Sequence, residues 1–467
     1  MVNDWPQVKL GSLYKEPSRN GLTKPKKVRG EGYKFINMGE IFAFDRMLNI
    51  PCDRAPLTAK EISTSLMKDN DLLFARQSLV LSGAGKCSIF LGDDEDVAFE
   101  SHLIRVRLDE VLINPEYAYY YFFSPQGRAL MSTIVEQGAG QAGIRGSDLE
   151  QLVIPLPPMD YQNYVVSSLR VIDDKITLNR QINQTLEQMA QTMFKSWFVD
   201  FDPVIDNALD AGHPIPDQLQ HRAEARKAVR ESESESFKPL PDDVRQLFPD
   251  AFEESELGWV PKGWEMKSVS GALTVNPKVK LSKGQSAHFV DMKALPTSGY
   301  SIEEVTHKAF SGGAKFEQND VLLARITPCL QNGKTGFVDF LGADEVGFGS
   351  TEFIVLRGNK DVHHTYIACL ARHEKFRQHA MQSMVGSSGR QRVQNSCFDD
   401  YFIAVPTDDV MKRFAQMTQP SFDKFKANTA ESIALAELRD TLLPKLISGE
   451  LRLDDVEAAV EQETVSA

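Results

Sequence analysis

Asn70-Asp71-Leu72-Leu73-Phe74-Ala75-Arg76 returns 249 residues later as Asn319-Asp320-Val321-Leu322-Leu323-Ala324-Arg325. Each version is a polar turn, an apolar run of strand length and a closing arginine, and so reads as a buried strand. Working outward, the matches continue in the same order. Gly85-Lys86 corresponds to Gly333-Lys334 at a shift of 248. Ser147-Asp148-Leu149 through Val153-Ile154-Pro155 corresponds to Ser396-Cys397-Phe398 through Ala404-Val405-Pro406 with a two-residue slip. Asp174-Lys175-Ile176-x-x-Asn179 corresponds to Asp423-Lys424-Phe425-x-x-Asn428 at 249 again, and Trp5 and Trp264 open the two copies. Several matches in one order at one shift make the chain a direct repeat.

Each copy divides in two. Residues 1–157 and 258–407 read as short strands punctuated by glycines such as Gly83, Gly85, Gly92, Gly333, Gly336 and Gly342. One helix is predicted in each, over 114–131 and 361–381, the former capped by Asn114-Pro115. Residues 158–200 and 408–450 then read as long helices. Val165, Leu169, Ile172 and Ile176 step by 4, 3 and 4, and Ile182, Leu186, Met189, Met193 and Trp197 by 4, 3, 4 and 4. Phe414, Met417, Phe425, Leu435, Leu438 and Leu442 supply the second seam. Such a stripe is of coiled-coil type and cannot be buried by one helix alone, so the two are expected to pack on each other. Asn179 and Asn428 share one repeat position inside the seam. They read either as register-fixing polar residues or as two solvated asparagines. The fold class is α+β: two similar α/β domains joined by two long helices.

The 467 residues carry 52 Lys and Arg against 65 Asp and Glu, a net charge of −13. An acidic balance argues at first against a nucleic-acid partner. Its distribution removes that objection: DNA binding is permitted by it, not shown by it. Residues 201–257 hold 6 basic and 14 acidic side chains, and residues 450–467 hold 1 and 6. Those two segments account for the whole deficit, and the first 60 residues alone carry 11 basic against 6 acidic side chains. Residues 201–257, with Glu231-Ser232-Glu233-Ser234-Glu235-Ser236 and six prolines, read as an acidic connector, partly helical near 217–230 and partly irregular. Residues 451–467 read as an acidic tail. No run of 18 apolar residues offers a membrane span. The start lacks a signal pattern, and the five cysteines form no C-x-x-C pair, so a reducing, cytoplasmic setting is expected.

Catalytic motifs fail on inspection. Asn114-Pro115-Glu116-Tyr117 departs from the N-P-P-Y of amino-methyltransferases at Glu116, and helix capping explains it. Gly138-Ala139-Gly140-Gln141-Ala142-Gly143 fits G-x-G-x-x-G but follows a helix and precedes a strand, the reverse of the dinucleotide context. Gly85-Lys86 and Gly333-Lys334-Thr335 lack the upstream glycines of a phosphate loop. Pro249-Asp250 with Glu265-Met266-Lys267 imitates a nuclease triad, yet Asp250 lies in the connector. His363-His364 and His373-Glu374 lack metal-ligand spacing. Two matched copies without chemistry read as a binding and assembly protein.

Ile154-Pro155-Leu156-Pro157-Pro158 leading into Gln162, Asp173-Asp174-Lys175-Ile176-x-x-Asn179-x-x-Ile182-Asn183, Phe194-Lys195-Ser196-Trp197-Phe198-Val199-Asp200-Phe201-Asp202-Pro203 and Leu442-Leu443-Pro444-Lys445-Leu446-Ile447-Ser448-Gly449-Glu450-Leu451 together resemble the specificity subunits of type I restriction–modification systems. The resemblance covers nearly the whole chain. It implies two target-recognition domains, 1–157 and 258–407, on two antiparallel helices packed as a coiled coil, 158–200 and 408–450. It further implies a non-catalytic subunit that reads a bipartite, asymmetric DNA site. Two modification subunits, which bind S-adenosylmethionine and methylate adenine, would dock on the helices. Restriction subunits using ATP and Mg²⁺ would join that core. This chain would hold none of those cofactors itself. A coiled-coil adaptor that never touches DNA, and a self-contained nuclease or methyltransferase with a divergent site, are the competing readings.

If the chain reads DNA, base edges call for fork-shaped or amide donors and phosphates for lysine, arginine, serine or backbone N–H groups. In copy one the candidates are Arg76, Gln77, Ser78, Lys86, Gln141 and Arg145, with Lys24, Lys26, Lys27 and Arg29 toward phosphates. In copy two they are Arg325, Thr327, Lys334, Ser388, Arg390, Gln391 and Arg392. The glycine-rich loops 138–145 and 386–394 are favoured, because glycine permits close backbone approach. Arg76 and Arg325 equally suit strand-end arginines with local partners, and Lys86 and Lys334 ordinary hairpin lysines.

Overall fold

The computed structural model describes residues 5–138, 140–232, 239–387 and 389–451. It divides into two compact units, residues 1–175 with 434–467, and residues 176–433.

The repeated Asn-Asp turn builds both central sheets. Asn70 and Asn319 each adopt the left-handed conformation at φ 70°, which asparagine tolerates better than most residues. The aspartate that follows is buried in both copies. The Asp71 carboxylate accepts from the Lys68 N–H at 2.7 Å and from Arg107 at 2.7 Å. Asp320 repeats this with the Glu317 N–H at 2.7 Å and Arg357 at 2.7 Å. A buried carboxylate is tolerated only when so paired. The motif that reveals the repeat is thus a structural clamp.

Behind it the apolar runs pair in the same order in each copy. In copy one Tyr14–Asn20, Leu103–Leu108, Leu72–Ala75, Cys87–Gly92 and Arg46–Leu48 form a five-stranded sheet. In copy two Thr274–Val275, Phe353–Arg357, Val321–Ala324 and Thr335–Phe337 form its four-stranded counterpart. A second sheet orders Asp53–Ala55, Tyr33–Ile36 and Val97–Phe99 in one copy. In the other it orders Val305–Ala309, Ser286–Val290, Val346–Gly349 and Ala314–Glu317. The ends of each copy meet in one antiparallel pair, Gln7–Lys9 with Val153–Pro155 and Glu265–Ser268 with Phe402–Val405.

Three expectations are corrected. The helix expected over 114–131 is two, Pro115–Phe123 and Pro125–Ser132, because Ser124 precedes a proline and is forced extended at ψ 159°. The helix expected over 361–381 breaks likewise into His364–Arg372 and Glu374–Gln382 at His373. The connector is more ordered than its composition suggested. Helices Asp202–Ala211 and Gln220–Glu231 are joined by Arg222–Asp202, Arg226–Asp206 and Arg230–Asp210 pairs. The constant offset of 20 residues means the two run parallel. Acidic excess had concealed an ion-pair ladder. Residues 233–238 and the tail 452–467 lie outside the described residues.

The long helices span Met159–Phe198 and Asp408–Ser448, the second continuing through Pro420 and Pro444. In the first unit Tyr161 bonds the Leu446 carbonyl and Asp173 bonds Arg439. In the second, Asn183 meets Asn428 and Trp197 meets Phe414. Rising numbers meet falling ones, so within each unit the pairing is antiparallel. Val165, Ile172, Ile176, Phe414 and Phe425 are buried. Leu186, Met193, Leu435 and Leu442 are half-buried, and Trp197 is buried in the aromatic core of copy two. Met189 and Leu438 are exposed, and the seam expected through them runs instead through Ala190 and Arg439. An undistorted helix turns every 3.6 residues, which rotates a strict 3.5-residue stripe off the buried face.

Candidate nucleic-acid interface

The central strand of each copy ends at its arginine, Arg76 or Arg325, and the backbone there organises a glycine-rich hairpin. The Arg76 N–H donates to the His102 carbonyl at 2.8 Å, and its carbonyl accepts from Ile144 at 2.9 Å. Arg325 repeats this with Glu352 at 2.9 Å and Val393 at 2.9 Å. The side chains turn to local carbonyls, Ser101 for Arg76 and Val393 for Arg325. Both arginines therefore act chiefly as anchors of the hairpins.

In copy one, Gln77-Ser78, Ala142-Gly143 and Glu136-Gln137 make a three-stranded ribbon, closed by a Gly138 N–H to Gln141 carbonyl bond of 2.8 Å. Gln141 is exposed at its tip. Gln77 and Ser78 are half-buried, and the Ser78 hydroxyl accepts from the Val80 N–H. Arg145 and Glu136 form an exposed pair at 2.5 Å. Beside the ribbon Leu79, Val80 and Leu81 stand exposed, Leu79 at 83%.

In copy two, Val385 and Arg392 bridge a hairpin that includes Arg390 and Gln391. Thr327 fastens it, its N–H donating to the Gln391 carbonyl at 3.0 Å and its hydroxyl accepting from the Gln391 N–H at 3.0 Å. Arg392 grips Glu352 with bonds of 2.7–2.9 Å. That pairing holds the Glu352 carboxyl below its usual range. Arg390 is exposed and carries no side-chain hydrogen bond or ion pair among the described residues. Ser388 lies outside the described residues.

The remaining candidates are placed less freely. Lys86 sits 3.0 Å from Asp45 and donates to the Phe42 carbonyl. Lys334 donates to the Met292 and Lys293 carbonyls at 2.9 and 3.1 Å. Lys24 pairs with Glu61 at 2.9 Å and Arg29 donates to the Lys24 carbonyl, whereas Lys26 and Lys27 are exposed. Sequence reasoning missed Glu136 and Glu352. Glu352 lies 40 residues from Arg392, and nothing local announces that the two meet.

The seam asparagines are both buried. The Asn179 amide donates to Glu431 at 2.8 Å, and the Asn428 amide donates to Asn183 at 2.8 Å. The reading as solvated residues is thereby excluded. Among the described residues no group of three or more His, Cys, Asp or Glu is arranged to hold a metal ion. No helix there is long and apolar enough to cross a membrane.

The arrangement suits recognition: exposed fork and amide donors on hairpins held by buried clamps. Residues 3–188 match the family model described as the type I restriction modification DNA specificity domain. This segment belongs to that family. The specificity-family resemblance extends across the chain. Over 96% of its length and 100% of the relative's, the chain is 24% identical to the type I restriction enzyme HindI specificity subunit of Haemophilus influenzae. It is 22% identical to the MjaIX specificity subunit of Methanocaldococcus jannaschii, over 73% of this chain and 70% of that one. A crystal structure of the type I system S subunit from M. genitalium aligns over 95% of this chain and 96% of its own, at 15% identity and TM-score 0.49.

Proposed function

We propose that this specificity-family chain reads double-stranded DNA at two half-sites, one per copy, through the hairpins around 138–145 and 386–394. The observation that carries the reading is the repetition itself. The same strand end and anchoring arginine present a glycine-rich hairpin in both copies, with Gln141 and Arg390 as exposed donors. Two similar readers on one chain suit a split, asymmetric target.

In this reading the long helices set the separation of the half-sites and dock two adenine-methylating modification subunits, which restriction subunits join. A helix of 40 residues is about 60 Å long at roughly 1.5 Å per residue. Half-sites one DNA turn apart lie about 34–36 Å apart. The chain itself is not the catalyst: S-adenosylmethionine, ATP and Mg²⁺ belong to the partners.

The test is binding by the chain co-purified with its modification subunits. Arg390→Ala is expected to weaken cognate binding by about 1–3 kcal/mol, the worth of one good base contact. Arg392→Ala is expected to act indirectly, by releasing Glu352. Unchanged cognate affinity in both variants removes this hairpin as a reader. Leu186→Pro is expected to abolish recovery of the modification subunits in a pull-down; normal recovery overturns the docking role.

A further inference from the structure

The small second sheet occurs in both copies, and its charge state differs between them. In copy one the cations of the sheet itself are neutralised, while Lys26 and Lys27 before it stand exposed with no ion pair among the described residues. Lys34 lies 2.8 Å from Asp93, Arg54 2.7 Å from Glu95, and Arg29 3.7 Å from Asp53. In copy two residues 277–289 and 305–316 contain five lysines, two histidines and no acidic residue, in a chain of net charge −13.

The fold gathers these segments. Ser286–Val290 pairs with Val305–Ala309, and the hairpin is extended by Gly284–Phe310 and Phe310–Gln285 backbone bonds of 2.8 Å. Leu281, Ala287 and Phe348 form a buried cluster beneath it, with Phe289 and Phe310 packed against them. Lys315 ties the 278–283 segment to the hairpin, donating to the Val279 carbonyl at 3.1 Å and lying over the Phe310 ring. Lys308 lies 3.8 Å from the centre of the Phe289 ring. Lys278, Lys280, Lys283 and Lys308 are exposed and have no ion pair among the described residues. Glu304 is engaged by Lys293 and Glu317 by Arg357, while Glu345 lies 3.8 Å from His288 of the lobe, whose pKa burial lowers. Like charges held close without counter-charges repel one another, and a polyanion relieves that cost.

Resting on the DNA-reading function, we propose that the lysine lobe around 278–283 and 307–308 of copy two is a sequence-independent phosphate clamp. Affinity from phosphate contacts is salt-dependent, with log K falling by about 0.9 per neutralised phosphate for each decade of salt. The clamp is therefore legible separately from base reading.

The experiment uses the full chain with its modification subunits and a short fluorescein-labelled duplex of arbitrary sequence, with anisotropy recorded across a salt series. Lys278→Ala/Lys280→Ala/Lys283→Ala is expected to lower the salt slope by about 2–3 and to weaken cognate and arbitrary duplexes by the same factor. Lys308→Gln is expected to add to this. Lys227→Ala/Lys262→Ala/Lys360→Ala removes equal charge elsewhere and is expected to leave the slope unchanged. A wild-type slope in the lobe variant, or an equal fall in the control, overturns the clamp while leaving DNA reading intact. A wild-type complex that binds without salt dependence overturns both. Loss of the modification subunits from the lobe variant, with its melting curve unchanged, makes the lobe a protein contact and also overturns the clamp.

Discussion

Both copies pack apolar side chains on the long helices, but one repeated helix position is satisfied by opposite chemistry in the two. In copy one the fastening is ionic. Tyr120 donates to Asp173 at 2.8 Å and Arg439 bonds the same carboxylate at 2.9 Å. Arg46 lies 3.7 Å from Asp173 and 3.1 Å from Asp174, and Arg46 and Arg170 both reach Glu116. The Arg439 guanidinium also stacks over Phe123 at 4.9 Å. In copy two the position repeating Asp173 is Phe422. It packs against Tyr300, Phe337 and Phe425 with ring centres 5.0–5.2 Å apart. The comparison teaches that the architecture requires these sites to be filled and satisfied, and leaves the means open. An ionic junction fails when one member is lost, because the survivors stay buried with a partner missing. An aromatic junction fails in proportion to the volume removed.

The sharpest way to break the comparison is Asp173→Ala. It takes the shared acceptor from Tyr120 and Arg439, leaving Arg46 to Asp174 and Glu116 and Arg439 to Asp440, and is expected to cost about 3 kcal/mol; urea unfolding of the full chain measures it. A loss under about 1 kcal/mol would show the network to be superficial. Next comes Asp339, buried in copy two where copy one has Leu91 at the shift of Gly85 and Gly333. Burial raises its carboxyl to about 6. The folded state thus holds this proton more tightly than the unfolded chain, so this group's contribution to stability falls as pH rises from about 4 through 6. Asp339→Asn is expected to stabilise at pH 7 by about 1–3 kcal/mol, with the gain vanishing near pH 4 in paired melts. A pH-independent gain would assign the effect to something other than charge. Phe422→Leu comes third. A smaller apolar side chain should cost about 1–2 kcal/mol, well below Asp173→Ala; equal losses would erase the distinction between the junctions. Smallest is Asn428→Leu. The Asn428 Oδ1 is buried without a hydrogen-bond partner among the described residues, and half-buried Asn183 can turn to water. A gain of up to about 1 kcal/mol is expected by thermal melting, and a clear loss would show that the polar seam supports the pairing.

The repeat was legible because it is written in contiguous motifs. Asn70-Asp71 and Asn319-Asp320 mark the same turn, and the apolar runs behind them mark the same strand. The long helices were legible from their periodicity, with Met189 and Leu438 misassigned by a 3.5-residue count. The connector was misread because composition sums charges without regard to who faces whom, and Asp202, Asp206 and Asp210 face arginines 20 residues away. Among the interface candidates, Gln141 and Arg390 stand exposed. Lys86, Lys334 and Arg392 turned out to be held by Asp45, by two carbonyls and by Glu352. No local pattern distinguishes a free cation from a captured one.

By itself the sequence determined that there are two copies, that each ends in a long helix, and that the strand ends carry arginine. These follow from the order and period of side chains along one chain. Only the tertiary structure decided which charges remain available. The captures of Arg392 by Glu352 and of Lys34 by Asp93, against the open state of Lys280 and Lys283, depend on distances between segments far apart in sequence. Electrostatic pairing acts over a few ångströms in space, whatever the separation along the chain.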